Sequence, residues 1–295
     1  MPERRCSPEG GLPGHGCDTR LVLRSFQQVD VFATTPYRGN PVAVVLEGQD
    51  LTTEQMQRFA NWMNLSETTF VLPPTVAEAD YRVRIFTPVA ELPFAGHPTL
   101  GTCHAWLSTQ DRAADMIVQE CAAGLVRVRR GQGPLAFAAP PMVRTGPVDE
   151  PFVERIASVL NIDRAAIVAA QWVDNGPGWV AVMLASAEEV LALEPGFVDF
   201  DLGVVGPYPP GSAEAFELRG FFPKNGTTVE DPVTGSLNAS VAQWLVGTGQ
   251  ATTPYLASQG TALGRLGRIY VDADTDGQIW VGGGTVTCIR GQVDL

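Results

Sequence analysis

The sequence predicts an α+β protein made of two similar domains that arose by internal duplication. Three observations lead to this prediction. The chain has 295 residues, enough for two domains or for one large one. Strand-like segments with a few embedded helices fill its first half, without the strict strand–helix alternation of parallel α/β proteins. In addition, one extended pattern of residues occurs twice, in regions far apart along the chain.

Five segments of the first half are predicted, in order, as strand, strand, helix, strand and strand: residues 26–32, 42–46, 51–63, 68–72 and 81–86. The strand segments are rich in β-branched and aromatic residues, and turn-forming residues separate the first two. In the helical segment, apolar residues recur at helical spacing from Met56 to Met63, and Thr52 or Thr53 is suited to be the N-cap.

The repeated pattern couples a strand to the start of a helix. In the first copy, residues 84–88 (RIFTP) precede residues 93–107 (PFAGHPTLGTCHAWL). In the second copy, residues 219–223 (RGFFP) precede residues 231–245 (DPVTGSLNASVAQWL). Each copy reads Arg-x-Phe-x-Pro, a loop, glycine, a polar residue, a helix and Trp-Leu. Two ordered matches in each copy favour duplication over chance.

The duplication and the composition together divide the chain into three parts. We assign residues 1–25 to a flexible N-terminal extension, residues 26–145 to a first domain and residues 146–295 to a second domain, whose last strand is free to cross back to the first. The extension is rich in glycine, proline and charge, and it lacks the apolar core of a signal peptide.

The composition argues against several classes of function. The 20 lysines and arginines are outnumbered by 32 aspartates and glutamates, and the resulting net charge of −12 argues against nucleic-acid binding. No apolar run approaches the ~20 residues that a membrane helix needs. The 5 cysteines form no CxxC pair, which indicates reduced thiols and a cytoplasmic location. Because no cofactor motif or metal-ligand spacing is present, we predict neither a cofactor nor a metal.

Two similar domains place a cleft between them, where small-molecule sites preferentially form. Each copy of the repeat opens a helix there, the first with residues 96–99 and the second with residues 234–236. The free N–H groups and the dipole of a helix start attract anions. Two such starts in one cleft would hold a carboxylate and stabilise the enolate-like charge left when a neighbouring C–H proton is removed.

Four polar residues near these segments are candidates for the chemistry, and each has a simpler alternative. Glu67 follows a helix and begins an apolar strand, so it is either a surface group or a general base whose pKa is raised by burial. His97 is either a helix cap or an active-site group. Asp231 precedes a proline and is either a turn residue or a side chain facing the cleft. Asn40 is first a turn residue and second a donor to substrate.

At these residues the sequence resembles the PhzF family, which is named for the phenazine biosynthesis isomerase and is related to diaminopimelate epimerase. The segments that carry the resemblance extend over about residues 26–290 and are the following: 29–32 (VDVF), 39–41 (GNP), 66–70 (SETTF), 84–88 (RIFTP), 91–101 (ELPFAGHPTLG) and 231–236 (DPVTGS). Their order and joint occurrence make the resemblance highly specific.

The resemblance implies two α+β domains, each a sheet wrapped around a central helix, with the active site between them. It also implies proton transfer without a cofactor, and a homodimer, which is common in the family. Glu67 stands at the position of the family's catalytic glutamate, and His97 and Asp231 match its other acid–base positions. Its substrate-holding helix starts are matched by Gly96, Gly235 and Ser236.

The related epimerase uses two cysteines, one ahead of each central helix. The corresponding segments here, residues 95–98 (AGHP) and 232–235 (PVTG), contain no thiol, so a two-thiol racemase is disfavoured. We therefore expect a cytoplasmic isomerase that moves a proton between carbons of a small carboxylated substrate. The alternatives are a racemase or epimerase of an amino acid, and a non-catalytic descendant that binds a small molecule.

Overall fold

The structure, a computed structural model, describes residues 22–111, 114–131, 133–224 and 226–295. Residues 1–21 of the predicted extension, with Cys6 and Cys17, lie outside the described residues. The described residues form 18 strands, five α-helices and two short 3₁₀ helices. None of these helices is both long and apolar enough to span a membrane in the described parts of the chain.

The first half of the chain contains eight strands and two helices, which run in this order: β1 (Leu23–Val31), β2 (Asn40–Val45), α1 (Thr53–Met63), β3 (Glu67–Leu72), β4 (Tyr81–Phe86), β5 (Glu91–Leu92), α2 (Gly96–Leu107), β6 (Met116–Cys121), β7 (Gly124–Arg129) and β8 (Ala136–Ala138).

The second half contains ten strands, three α-helices and the 3₁₀ helices Arg164–Ala166 and Thr261–Leu263. Its strands and α-helices run in this order: β9 (Arg144–Pro147), α3 (Glu150–Leu160), β10 (Ala169–Asp174), β11 (Val180–Met183), α4 (Ala187–Leu191), β12 (Leu202–Pro207), β13 (Phe216–Lys224), β14 (Thr227–Asp231), α5 (Gly235–Gly247), β15 (Tyr255–Gln259), β16 (Gly267–Ala273), β17 (Ile279–Gly282) and β18 (Thr285–Asp294).

The two halves repeat one sheet topology, strand for strand. In the first lobe the hydrogen-bonded order is β1-β2-β3-β4-β6-β7-β8, and the pairs β2–β3 and β4–β6 are parallel while the others are antiparallel. In the second lobe the order is β10-β11-β12-β13-β15-β16-β17, and the parallel pairs, β11–β12 and β13–β15, fall at the same places. This match confirms the prediction of two similar domains.

The lobes are joined by strand pairing as well as by the chain. Strands β8 and β17 pair antiparallel and make the two sheets continuous. Strand β9, which spans the predicted boundary at residues 145 and 146, pairs with β10 of the second lobe. Strand β18 pairs with β1 and so carries the end of the chain back to the first lobe.

Each sheet wraps around one buried helix, α2 in the first lobe and α5 in the second. In α2, 9 of the 12 residues are buried, and in α5, 10 of the 13, so each helix is buried around most of its surface. Leu100 of α2 and Leu237 of α5 belong to a single hydrophobic core that continues through both lobes. The amphipathic helices α1 and α3 pack on the outer faces and bury Met56 and Ile156, respectively, in separate clusters. Both central helices start at the boundary between the lobes, called here the seam, where Gly96 and Gly235 are in contact.

Helix α1 confirms the helix predicted at residues 51–63. Thr52 is its N-cap and accepts a hydrogen bond from the backbone of Gln55, whose side chain accepts one from the backbone of Thr52. This reciprocal pair is a capping box and fixes where the helix begins. The helix ends at Asn64, which adopts the left-handed conformation with φ of 51°. The next element, β3, begins three residues later, at Glu67.

Candidate active site

The two central helices meet at their first residues, Gly96 and Gly235. A Cβ atom at Gly96 would lie 2.8 Å from the Cα atom of Gly235, and a Cβ at Gly235 would lie 2.8 Å from the Cα of Gly96. Because both contacts involve backbone, only glycine permits this approach. The N-cap residues Ala95 and Thr234 make no side-chain capping bond. Two helix starts with N–H groups free of side-chain caps therefore converge at the seam, a favourable place for an anion.

Glu67 and His97 form a close pair beside this contact. The Glu67 Oε2 atom lies 3.2 Å from the His97 Nε2 atom, and the two side chains are only 15% and 5% exposed. Neither of these atoms has a hydrogen-bond partner of good geometry among the described residues, so the contact is close but not aligned. Thr69, two residues along β3, bonds to Thr102 of α2, which places Glu67 on the strand face toward that helix.

Asn40 links this pair to the second lobe. Its Nδ2 atom donates to Asp231 Oδ1 and to the backbone oxygen of Val233, each at 2.9 Å, and lies 3.4 Å from His97 Nδ1. The other carboxylate oxygen of Asp231 accepts a hydrogen bond from the Thr234 hydroxyl at 2.7 Å. Glu67, His97, Asn40 and Asp231, called here the Glu67 cluster, thus come together across the seam.

Burial sets the protonation of the two carboxyl groups of the Glu67 cluster. Burial, assisted by the charge of Asp231 and opposed by that of Lys224, raises the pKa of Glu67 to about 8. Burial also raises the pKa of Asp231 to about 6, although hydrogen bonds from Thr234 and Asn40 act against it. Near neutral pH, Asp231 is therefore mainly ionised while Glu67 is mainly protonated.

The imidazole of His97 is neutral under the same conditions. Burial lowers the pKa of His97 to about 3, against the opposing effect of a hydrogen bond to the backbone of Pro41. A neutral imidazole next to a protonated carboxyl avoids placing two charges in a buried site. The pair is consequently able to hold one exchangeable proton close to the two helix starts.

Ser236 is fixed by a different set of residues. The indole Nε1 of Trp179 donates to its hydroxyl oxygen at 3.0 Å, and the Asn175 side chain donates to its backbone oxygen at 2.9 Å. The structure places Ser236 in the first turn of α5, next to Gly235, but gives it no hydrogen bond to the Glu67 cluster within the described residues. The structure thus brings the four members of the Glu67 cluster together from β2, β3, α2 and β14, and places Gly235 and Ser236 in the first turn of α5.

Sequence reasoning missed the residues that hold these groups in place. Gln259 of β15 accepts from the Thr234 backbone at 3.0 Å and from Asn238 at 2.7 Å, and it donates to the Thr234 hydroxyl and to the backbone oxygen of Asp231. No motif surrounds Gln259 in the sequence. Asn175 and Trp179 lie in a glycine-rich loop that reads only as a turn.

Thiols and metals are not part of this arrangement as far as the structure describes the chain. Ala95 and Thr234 stand at the N-cap positions. The described cysteines are free, and burial raises the pKa of the Cys103 thiol to about 12, which makes it a poor nucleophile. Among the described residues no group of three or more His, Cys, Asp or Glu side chains is placed to bind a metal ion.

The fold belongs to the class of two-lobed, epimerase-like isomerases. A solved structure from Bacillus anthracis, a phenazine biosynthesis protein of the PhzF family, superposes with a TM-score of 0.78 over 92% of this chain and 99% of its own, at 22% identity. Residues 29–291 match the family model PhzC-PhzF, described as phenazine biosynthesis-like protein. The chain is therefore a member of the PhzF family.

Two relatives show how far this membership defines the activity. The trans-2,3-dihydro-3-hydroxyanthranilate isomerase of Pseudomonas aeruginosa is 37% identical over 267 residues, which are 87% of this chain and 92% of the relative. A protein of Schizosaccharomyces pombe named antisense-enhancing sequence 1 is 36% identical over 92% of this chain and 99% of its own. Membership in this family makes the chain an isomerase, but relatives of similar identity have different names, so the family does not specify one substrate.

Proposed function

We propose that this isomerase uses Glu67 as its acid–base group and needs no cofactor. In this reaction, Glu67 takes a proton from one carbon of a small carboxylated substrate and returns it to another carbon. The observation that carries the proposal is the position of the Glu67 carboxyl, whose side chain is only 15% exposed and which lies 3.2 Å from His97 Nε2, next to two converging helix starts. The surroundings thus combine a proton carrier with a place for an anion.

The chemistry balances with these groups alone. The ionised form of Glu67 accepts the proton, and the electron pair of the broken C–H bond delocalises into the conjugated carboxylate of the substrate. The backbone N–H groups at Gly96, Gly235 and Ser236 stabilise the resulting negative charge. The protonated Glu67 then donates its proton to a second carbon, so that the substrate is rearranged without gain or loss of atoms.

The electrostatics of the Glu67 cluster suit this task. A general base works best when its pKa lies near the working pH, and burial raises the pKa of Glu67 to about 8. Neutral His97 is placed to hold the Glu67 carboxyl and to take part in moving its proton. Asp231, held by Asn40 and Thr234, contributes a negative charge that keeps the proton on Glu67 between the two transfers.

We propose a hydroxylated, partly unsaturated cyclic carboxylate as the substrate class. The support is the name of the relative that is 37% identical, which acts on trans-2,3-dihydro-3-hydroxyanthranilate. Such a molecule has the carboxylate that the helix starts would bind and a C–H group whose proton can move along a conjugated system. An amino-acid racemase finds less support, because Ala95 and Thr234 occupy the positions where the related epimerase has its cysteines.

The test follows solvent deuterium by NMR during incubation with trans-2,3-dihydro-3-hydroxyanthranilate and a panel of related carboxylates. The wild-type protein is expected to incorporate deuterium, whereas Glu67→Gln is expected to fold and bind ligand but to lose exchange. Glu78→Gln, which changes an exposed carboxyl of the same lobe, is the matched control and should behave as wild type. Undiminished exchange in Glu67→Gln would defeat the proposal. Ligand binding without exchange in the wild type would favour the non-catalytic descendant.

A cytoplasmic location and a homodimer belong to this proposal as well. Free thiols at Cys103, Cys121 and Cys288 support a reducing compartment. Light scattering coupled to size exclusion tests the assembly, because a dimer elutes with twice the mass of the chain.

A further inference from the structure

A short loop between β10 and β11 is folded onto the first turn of α5. Asp174, at its beginning, accepts hydrogen bonds from the backbone N–H groups of Gly176 and Gly178 at 2.7 and 2.8 Å. Both glycines have positive φ, 138° and 101°, which residues with side chains rarely adopt. The sequence therefore specifies the path of this loop in detail, although the loop contributes none of the groups of the Glu67 cluster.

Two side chains of the loop converge on one residue. Trp179 donates from its indole nitrogen to the hydroxyl oxygen of Ser236 at 3.0 Å, and Asn175 donates to the backbone oxygen of the same serine at 2.9 Å. Trp179, Asn175 and Ser236 are all buried. Because Ser236 is held at both its side chain and its backbone, its hydroxyl has little freedom to turn.

The chemistry of the indole group determines whether the Ser236 hydroxyl accepts or donates in its hydrogen bond with Trp179. An indole N–H only donates, so the Ser236 oxygen must accept from Trp179. Its own hydrogen is then left to donate elsewhere, and no other described residue forms a hydrogen bond with this oxygen. The hydroxyl is thus presented as a donor, next to the helix start at Gly235, where a negatively charged oxygen of a ligand would be stabilised.

A second observation indicates that this loop meets a ligand. The Oδ1 atom of Asn175 is buried, in a residue only 8% exposed, and has no hydrogen-bond partner among the described residues. Leaving a buried amide oxygen without a partner is unfavourable, because the oxygen has lost its hydrogen bonds to water. The Asn175 Nδ2 group donates to the backbone oxygen of Ser236, which fixes the orientation of the amide, because in the flipped amide two oxygens would face each other without a hydrogen between them. An N–H or O–H group of a ligand would satisfy this oxygen.

We propose that Trp179 is a positioning residue that fixes the hydroxyl of Ser236 as a hydrogen-bond donor to an anionic oxygen of the substrate. The proposal rests on the proposed function, since it assigns the anion to the paired helix starts. Trp179 itself does not touch the reacting atoms. Its contribution reaches the substrate only through Ser236, and this dependence can be measured.

The experiment is a double-mutant cycle with Trp179→Phe, which removes the N–H and keeps an aromatic ring, and Ser236→Ala. Deuterium incorporation into trans-2,3-dihydro-3-hydroxyanthranilate gives kcat/KM for each variant. Each single variant is expected to lose about 10- to 100-fold, the range of one hydrogen bond to a charged group. The double variant should be no worse than Ser236→Ala alone, because Trp179 then has no hydroxyl to orient.

The matched control is Trp280→Phe. Trp280 is also buried and also donates its indole N–H to a side chain, the carboxylate of Asp274, at 3.2 Å. This variant tests the general cost of losing a buried indole bond and should leave kcat/KM unchanged. Multiplied losses in the double variant, or an unchanged rate in Trp179→Phe, would overturn the proposal.

A second readout needs no tryptophan variant. The indole ¹H–¹⁵N signal of Trp179 is expected to move when 3-hydroxyanthranilate, an unreactive probe, binds to the wild type, because an anion on Ser236 polarises the whole hydrogen-bond chain. The shift should vanish in Ser236→Ala, and its absence in the wild type with bound probe counts against the proposal. Glu67→Gln distinguishes a failure of the proposed function from a failure of this proposal. If the variant keeps full deuterium exchange, the proposed function is wrong, whereas the link between Trp179 and Ser236 is still tested by the double-mutant cycle.

Discussion

Two buried carboxyl groups within one site influence each other strongly, and this coupling defines the chemistry of the Glu67 cluster. Asp231 accepts hydrogen bonds from Asn40 and Thr234, which favour its ionised form. Glu67 has no such donors among the described residues and faces a neutral imidazole instead. Burial therefore affects the two groups differently, and the pKa of Glu67 rises further than that of Asp231. One group keeps a proton near neutral pH while the other keeps a charge.

This difference leads to a prediction for Asp231→Asn. The charge of Asp231 is, after burial, the next cause of the raised pKa of Glu67, so its removal should lower that pKa from about 8. Catalysis that begins with ionised Glu67 increases with pH until the pKa is passed. The rising limb of the profile of kcat/KM against pH should therefore move to lower pH in the variant, whatever the change in maximal rate.

The substituted amide keeps one oxygen that can accept from Asn40, and its NH₂ group can donate to the Thr234 hydroxyl in place of the bond that Asp231 accepts, so the fold should persist. Glu78→Gln, which changes an exposed carboxyl, is the control and should leave the limb in place. If the rising limb of the profile of kcat/KM against pH stays in place or moves to higher pH in Asp231→Asn, the two carboxyl groups are not coupled as proposed.

The sequence identifies the site residues that lie within motifs, but not the residues that hold them in place through contacts in the folded chain. Glu67, His97 and Asp231 occur in segments whose spacing is shared with the family, and Gly96 and Gly235 are found through the repeat. Gln259 and Trp179 become neighbours of the site only when distant strands pack together, so nothing local reveals them. One signal was available: a Val-Asp pair lies one residue before the end of β1, at Val29-Asp30, and another at the end of β10, at Val173-Asp174.

Among the elements, the hairpin loops repeat their construction along with the strands. Asp30, at the end of β1, accepts from the backbone N–H groups of Arg38 and Gly39 at 2.8 Å each. Asp174 does the same for the loop after β10. Each loop leads to a residue that fixes a site group, Asn40 in the first lobe and Trp179 in the second. The two loops thus have the same construction, with different side chains at their ends.

Local sequence predicts the third and fourth strands of the first half well. The prediction for residues 81–86 coincides with β4, and residues 68–72 lack only the first residue of β3. The second strand was expected at residues 42–46 but begins at Asn40, because pairing with β1 extends it into the turn segment. Pairing with a distant strand is a tertiary effect that periodicity does not contain.

The contact between the helix starts predicts that Gly235→Ala is destabilising. The added Cβ would lie 2.8 Å from the Cα of Gly96 and 3.0 Å from the His97 nitrogen, so backbone must move. We expect a loss of about 1–3 kcal/mol in the free energy of unfolding, as for other overpacked sites, together with weaker binding of the anionic probe. Urea unfolding and titration with 3-hydroxyanthranilate measure the two effects.

Gly247→Ala is the matched control, since it makes the same change in the same helix. Nothing lies within 4 Å of a Cβ at Gly247, and its φ is not in the left-handed region. Stability should stay constant or rise slightly, by less than about 1 kcal/mol, through better helix propensity. Equal effects of the two substitutions would mean that the helix starts can separate without cost.

Over the whole molecule, the two lobes are interlocked rather than merely adjacent. Strand β9, at the boundary between the two halves, pairs with β10 of the second lobe, and β18, at the end of the chain, returns to pair with β1 of the first lobe. His104 of α2 bonds through its two ring nitrogens to Thr285 and Thr287 of β18, at 2.9 Å each, so the returning strand is tied to the central helix of the first lobe. The core that surrounds both central helices is continuous. The first lobe is therefore completed by a strand from the second half of the chain.

Interlocked lobes should unfold as one cooperative unit, and Leu100→Ala tests this. Leu100 is fully buried in α2, and such a truncation typically costs about 2–5 kcal/mol. If unfolding is global, the most protected amides of β2 in the first lobe and of β12 in the second should exchange with solvent faster by the same factor, at least about 30-fold for 2 kcal/mol. Hydrogen exchange followed by mass spectrometry resolves both strands. Leu125→Ala, an exposed leucine of β7, is the control and should leave both unchanged. Acceleration confined to β2 would instead mean that the first lobe opens by itself, and the crossing strands would then not couple the two halves of the proposed site.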